Sequence, residues 1–136
     1  MAEHDAVFGG EHSAHYYFRD FWGADTGMLA ALHVLAMTGA TRQPLSELAA
    51  GFTRYAASGE INSRVEDQHV AMERVAAAFA GRGQQDRVDG LTVAGADWWV
   101  NVRPSNTEPL LRLNVEAATE EVMAALRDET LGLIRA

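Results

Sequence analysis

The chain has 136 residues and a formal net charge of −8. That balance excludes a nucleic-acid footprint, which needs clustered Lys and Arg. Its 48% hydrophobic content excludes disorder as the dominant state. Lysine is absent, so every cationic side chain other than histidine is an arginine.

In chain order, Ala6-Val7-Phe8 reads as a short strand. A Gly9-Gly10 turn, a polar loop from Glu11 to Ala14 and a second strand through Tyr16-Tyr17-Phe18 follow. Asp25-Thr26 is placed to cap a helix whose apolar positions are Met28, Leu29, Leu32, Leu35 and Ala36, with Gly39 near its end. A second helix after Pro44 carries the stripe Leu45, Leu48, Phe52 and Tyr55.

Ser58-Gly59 reads as a hinge. Beyond it, residues 60–65 form a strand, and Asp67 caps a helix with Met72, Val75, Ala76 and Phe79 on its inner face. Gly83 to Asp86 reads as loop, and residues 88–94 as a strand with a turn or bulge at Asp89-Gly90. Trp98 to Arg103 and Leu111 to Glu116 alternate apolar and polar positions, so each buries one face. Thr119 caps a last helix with Glu120 and Glu121 in its first turn, where the dipole favours negative charge. The second half is therefore β-α-β-β-β-α, an α+β layout in which two helices cover one face of a sheet. The first half is too small for a comfortable core of its own.

Cysteine is absent, which fits a reducing cytoplasm. The apolar stretch from Met28 to Met37 is shorter than the ~20 residues a membrane helix needs. The acidic, polar start does not read as a signal peptide.

Two loops carry the chemistry. Arg103-Pro104-Ser105-Asn106-Thr107-Glu108-Pro109 joins two strands and gathers a guanidinium, two hydroxyls and an amide. Arg matches phosphate oxygens bidentately, and turn N–H groups make an anion-binding concavity. The prolines stiffen the loop, and Glu108 is read as a brace that accepts backbone N–H groups or pairs with Arg112. The alternative is an ordinary polar hairpin tip. In the second loop, Glu11 and Ser13 offer hydrogen bonds to hydroxyls, and His15 titrates near neutrality. His4, Glu11, His12 and His15 also admit a metal reading, though without regular ligand spacing. Ser13 lacks a nucleophile elbow. The aromatics Tyr16 to Trp22 read as core or interface, and His33 as a packed histidine.

The two motifs, Gly10-Glu11-His12-Ser13-Ala14-His15 and Arg103 to Pro109, resemble in order the sugar-binding and phosphate-binding loops of the α-D-phosphohexomutase family. Asn106 fits its phosphomannomutase/phosphoglucomutase branch. The resemblance covers nearly the whole chain but only the C-terminal part of such an enzyme. It implies a four-stranded antiparallel sheet with helices on one face (TATA-box-binding-protein-like) over residues 58–136. Residues 1–57 would be the incomplete end of a sugar-binding α/β domain.

The resemblance further implies an enzyme interconverting hexose 1- and 6-phosphates through a hexose 1,6-bisphosphate. Glu11 and Ser13 would hold sugar hydroxyls and His15 would lie at the reacting end. Arg103, Ser105, Asn106 and Thr107 would bind the phosphate that is not transferred. The donor serine and the Mg2+ site would lie in missing N-terminal domains, since no Asp-Gly-Asp-x-Asp run occurs here. The piece alone would then be inactive and prone to self-association. Ala14 departs from the family's usual glycine. The competing readings are a non-catalytic phosphosugar-binding module and a protein-interaction fragment.

Overall fold

The computed structural model describes residues 1–11, 13–105 and 108–136. His12, Asn106 and Thr107 lie outside the described residues. Two units divide between Phe52 and Thr53. The boundary expected after residue 57 falls beyond β3 (Ala56–Ala57), which already pairs with β8 (Leu110–Ala117) in the second unit.

In the first unit, β1 (Phe8–Gly10) and β2 (Tyr16–Phe18) form an antiparallel hairpin. The first strand begins at the end of the expected Ala6-Val7-Phe8 run and takes in both glycines. Next come α1 (Gly27–Gly39) and α2 (Leu45–Ala50). Thr26 caps α1, its Oγ1 accepting from the Leu29 N–H at 3.2 Å. Among the described residues of this unit none is buried. Along the predicted α1 stripe only Leu29 is half-covered; Met28, Leu32 and Leu35 are 79%, 55% and 65% exposed. A helix apolar on this scale belongs under another layer. The aromatics pack on one another instead: Phe18 lies 5.1 Å from both Phe8 and the His33 ring, which it stacks against at 24°.

The second unit has the predicted α+β form. Its central ladder is β4 (Ile61–Arg64), β8, β7 (Trp98–Pro104) and β6 (Leu91–Ala94), all antiparallel. Two short strands enlarge the expected four-stranded sheet to six: β3, on the same edge of β8 as β4, and β5 (Gln84–Asp86), beside β6. The stretch from Gly83 was expected as loop. Its three strand residues are all exposed, so an edge strand formed by backbone pairing left no apolar alternation to read.

Helices α3 (Gln68–Ala78) and α4 (Glu120–Arg135) supply the cover. Both predicted caps form: Asp67 Oδ1 accepts from the His69 and Val70 N–H groups, and Thr119 Oγ1 from Val122 N–H. Val75, Phe79, Met123, Leu126 and Ile134 close on Val93, Val100, Val102, Leu111, Leu113 and Val115. Burying each such side chain contributes roughly 1.5–3 kcal/mol before chain entropy is charged against it. Alternation sends the two tryptophans apart. Trp98 packs on Phe79 at 6.0 Å, whereas Trp99 on the opposite face donates from Nε1 to Glu116 at 3.2 Å.

That opposite face carries Arg103 and Arg112, cross-strand partners in the β7–β8 register. The turn before β6 passes close to them. Gly90 has φ +69°, and a Cβ there would sit 2.4 Å from the Val102 carbonyl oxygen and 2.7 Å from Arg103 Cα. Only glycine fits both the conformation and the approach. The Ser58 step is fastened rather than free: its N–H donates to the Val115 carbonyl and its Oγ accepts from the Val115 N–H, each at 2.9 Å.

Candidate sugar- and phosphate-binding loops

The Glu11–His15 loop is closed by its own backbone. Glu11 N–H donates to the His15 carbonyl at 2.9 Å, and Ala14 N–H to the Glu11 carbonyl at 3.0 Å. Closing it so tightly puts Ala14 at φ +66°, the conformation a glycine adopts freely and an L side chain at a cost of roughly 1–2 kcal/mol. Ala14→Gly is therefore expected to stabilise the loop by about 1 kcal/mol after the entropy glycine loses on folding. A thermal melt of the full chain would check this; a lower melting temperature would show that Ala14 is not strained.

Among the described residues, each candidate side chain in this loop has a partner. Tyr17 OH donates to Glu11 Oε1 at 2.7 Å, and Ser13 Oγ to Glu11 Oε2 at 3.1 Å. These two bonds, Tyr17's the larger, hold the Glu11 carboxyl below its usual range and keep it ionised. A carboxylate so held still has lone pairs for incoming hydroxyls.

His15 Nδ1 lies 2.6 Å from Asp25 Oδ2, while Asp25 Oδ1 accepts from the Tyr16 N–H at 3.1 Å. The Asp25 hydrogen bond raises the His15 pKa, and the same contact, followed by the Tyr16 N–H, lowers that of Asp25. Asp25 is thus not the helix cap that its position beside Thr26 invited. With Nδ1 committed, Nε2 is the ring nitrogen left to exchange a proton with a ligand.

The pair's pH dependence follows from those directions. Its stabilisation is fully present below the ordinary histidine value of about 6.5 and is lost as pH rises through the raised folded value of His15. At the acid end it is present above the ordinary aspartate value and is lost as pH falls through the lowered value of Asp25. An NMR titration should place the His15 midpoint above about 6.5, and Asp25→Asn should bring it down. An unchanged midpoint in the variant would rule out the pairing.

In the second unit, Arg103 comes from β7, and Ser105, buried at 8% exposure, follows it. Ser105 N–H donates to the Leu110 carbonyl at 2.8 Å, closing the base of the loop. Gln68 at the start of α3 donates from Nε2 to the Glu108 and Leu110 carbonyls at 3.3 and 2.9 Å. Of the two braces expected of Glu108, backbone acceptance or pairing with Arg112, its carbonyl supplies the first, accepting from the Leu110 N–H at 2.8 Å. Glu108 is exposed and braces through its carbonyl, whereas Arg112 Nε lies 3.7 Å from Glu60 Oε1. Arg103 Nη2 donates to the other oxygen of Glu60 at 3.3 Å. The phosphate-binding roles expected of Asn106 and Thr107, and the metal role considered for His12, fall outside the described residues. Among those described, no three His, Asp or Glu side chains gather to hold a metal ion.

Tyr17, Asp25, Glu60 and Gln68 were not singled out in the sequence as members of either site. Asp25 carried a signal, a carboxylate just before a threonine able to cap on its own; the others are brought in by pairing and topology.

Residues 60–133 match the model of the phosphoglucomutase/phosphomannomutase C-terminal domain, which covers more than half of the chain. The chain belongs to the phosphoglucomutase/phosphomannomutase family. Residues 1–55 match the same family's alpha/beta/alpha domain III. Among curated relatives in the family, a phosphomannomutase of Salmonella typhimurium is 47% identical over 96% of this chain and 29% of its own length. A phosphomannomutase of Methanocaldococcus jannaschii is 41% identical over 98% of this chain and 30% of its own. The crystal structure of a phosphoglucomutase/phosphomannomutase family protein from Burkholderia thailandensis superposes with a TM-score of 0.76 at 26% identity, covering 98% of this chain and 29% of that one. The chain thus spans about 30% of the length of the curated relatives it matches. No helix among the described residues is long and apolar enough to cross a membrane.

Proposed function

We propose that this chain is the sugar- and phosphate-binding C-terminal part of a phosphohexomutase, an isomerase that interconverts hexose 1- and 6-phosphates. The observation that carries the reading is the Glu11–His15 loop. A carboxylate oriented by Tyr17 and Ser13 lies beside an imidazole oriented by Asp25. Glu11 and Ser13 accept and donate hydrogen bonds to sugar hydroxyls. His15 gives up or takes a proton at Nε2 as the phosphoryl group leaves or arrives. The Asp25 hydrogen bond raises its pKa and so favours the imidazolium, which suits the acid half of that exchange.

Arg103, Ser105, Asn106 and Thr107 bind the phosphate that stays on the sugar. A loop that reads phosphate, and not the sugar's end, accepts a 1- or a 6-phosphate alike, as a reaction through a hexose 1,6-bisphosphate requires. The magnesium of the complete enzyme would supply charge neutralisation at the transferring group. Among the described residues no three His, Asp or Glu side chains gather to hold that ion. On this reading the metal and the phosphoryl donor belong to upstream domains, and this chain alone should not turn over. The exposed apolar residues of α1 fit the absence of the rest of domain III.

The test is an NMR titration of the labelled chain with mannose 6-phosphate, with inorganic phosphate as control. Both should shift the Ser105 amide, and only the sugar phosphate should shift Glu11 to His15. If neither loop responds and a longer protein carrying this chain lacks mutase activity, the reading fails.

A further inference from the structure

The ion pairs around Glu60 are longer than this protein's other arginine–glutamate contacts. Arg82–Glu129 and Arg87–Glu73 close to 2.6 Å at the surface, within ordinary charge-assisted range. Glu60 is shared: Oε2 is 3.3 Å from Arg103 Nη2, and Oε1 is 3.7 Å from Arg112 Nε. A second carboxylate, Asp89, reaches Arg103 Nη1 only at 3.8 Å. Arg112 Nε is buried and, among the described residues, has no hydrogen-bond acceptor. A buried N–H without an acceptor is costly and needs an explanation. The site is partly covered: Glu60, Arg103 and Arg112 side chains are 23%, 30% and 33% exposed.

We propose that Glu60 is a transferable counter-ion that passes from Arg103 to Arg112 when Arg103 takes up phosphate. This rests on the reading of Arg103 as a phosphate ligand. Without ligand, Glu60 is shared between two guanidinium groups set side by side across β7 and β8, with Asp89 at the far side of Arg103. When phosphate claims the Arg103 fork, Glu60 would lose its nearer partner, keep only the long Arg112 contact and repel the new anion. Arg112 Nε, already within 3.7 Å of the other Glu60 oxygen and lacking an acceptor among the described residues, receives the carboxylate. Phosphate thereby replaces a weak partner without stranding a half-buried charge. Arg112 is on this account a positioning residue that never touches phosphate, and Glu60 lowers the cost of binding.

Two measurements on the full chain test this with inorganic phosphate as the probe. In a labelled sample, the Arg112 Nε–H resonance should shift downfield as phosphate is added, reporting the new hydrogen bond. In a binding series, Arg112→Gln should weaken phosphate about tenfold, the scale of one lost hydrogen bond to a charged group. The double variant Glu60→Gln/Arg112→Gln should bind within about threefold of Glu60→Gln alone, because no carboxylate is then stranded. If the double variant stays about tenfold weaker than Glu60→Gln, Arg112 binds phosphate itself and the transfer is wrong. If phosphate binds through Arg103 but the Arg112 resonance stays still, the transfer is also wrong and the phosphate site stands. If Arg103→Gln leaves phosphate binding unchanged, or phosphate does not bind, the phosphate reading fails and the transfer with it. Should Arg112→Gln not fold, Arg112→Lys keeps the charge but moves the donor, and is expected to weaken binding similarly.

Discussion

Arg103→Gln is expected to cut the affinity for mannose 6-phosphate roughly 30- to 1,000-fold, by removing a bidentate, charge-assisted contact of about 2–4 kcal/mol. Three features put the effect at this guanidinium. The chain has no lysine to substitute for it. Its backbone is held at the end of β7 by pairing to Arg112 and by the close pass of Gly90. Its side chain already contacts carboxylate oxygens, the chemical kin of phosphate oxygens. Arg103→Lys should fall between, since it keeps a charge and loses the fork. Calorimetric titration of the three proteins measures this. Equal affinities in Arg103→Gln and the parent chain would remove the loop from phosphate recognition.

The second large effect concerns stability. Phe79→Ala is expected to destabilise the second unit by about 3–5 kcal/mol, enough to lower its melting temperature by roughly 12–40 °C. Phe79 is fully buried, tilts against Trp98 at 6.0 Å and lies 4.3 Å beneath the Arg82 guanidinium. Its loss opens a hole where α3 ends, between the helix layer and the sheet. Phe79→Leu should cost less, about 1–1.5 kcal/mol, because the volume is better conserved. A cost for Phe79→Ala below about 1 kcal/mol would show that the core collapses around the gap.

The second unit was legible because its signals are local and repeated. Thr119 and Asp67 cap their helices where the sequence places them. Strict alternation along β7 and β8 gave the buried Val100, Val102, Leu111, Leu113 and Val115 directly. What escaped were elements held by backbone pairing alone, such as β5, and strands running through glycine, such as β1.

The site divides in the same way. Glu11, Ser13, His15 and Arg103 stand out because their loops have recognisable spelling. Their partners come from ten residues away, as with Asp25, or from 43, as with Glu60, and each had a plausible local role that competed. An aspartate before a helix looks like a cap, and Glu60 reads as the first residue of a strand. Only the hairpin pairing and the β4–β8 ladder give them their second function.

The lack of any buried residue among those described in the first unit bears on how the protein comes apart. Amides in β7 and β8 sit over a closed core, so deuterium should replace their protons only when the whole second unit opens. Those of α1 lie against the small β1–β2 hairpin, with Phe18 on His33 but no buried residue among those described, and should exchange by smaller, more frequent openings. A limited digest would follow the same gradient. It would consume residues 1–52 first and leave 53–136 as a resistant remnant that keeps Arg103, Glu60 and Arg112 but has lost His15. The roles proposed for Arg103 and for His15 would then be physically separable in one chain.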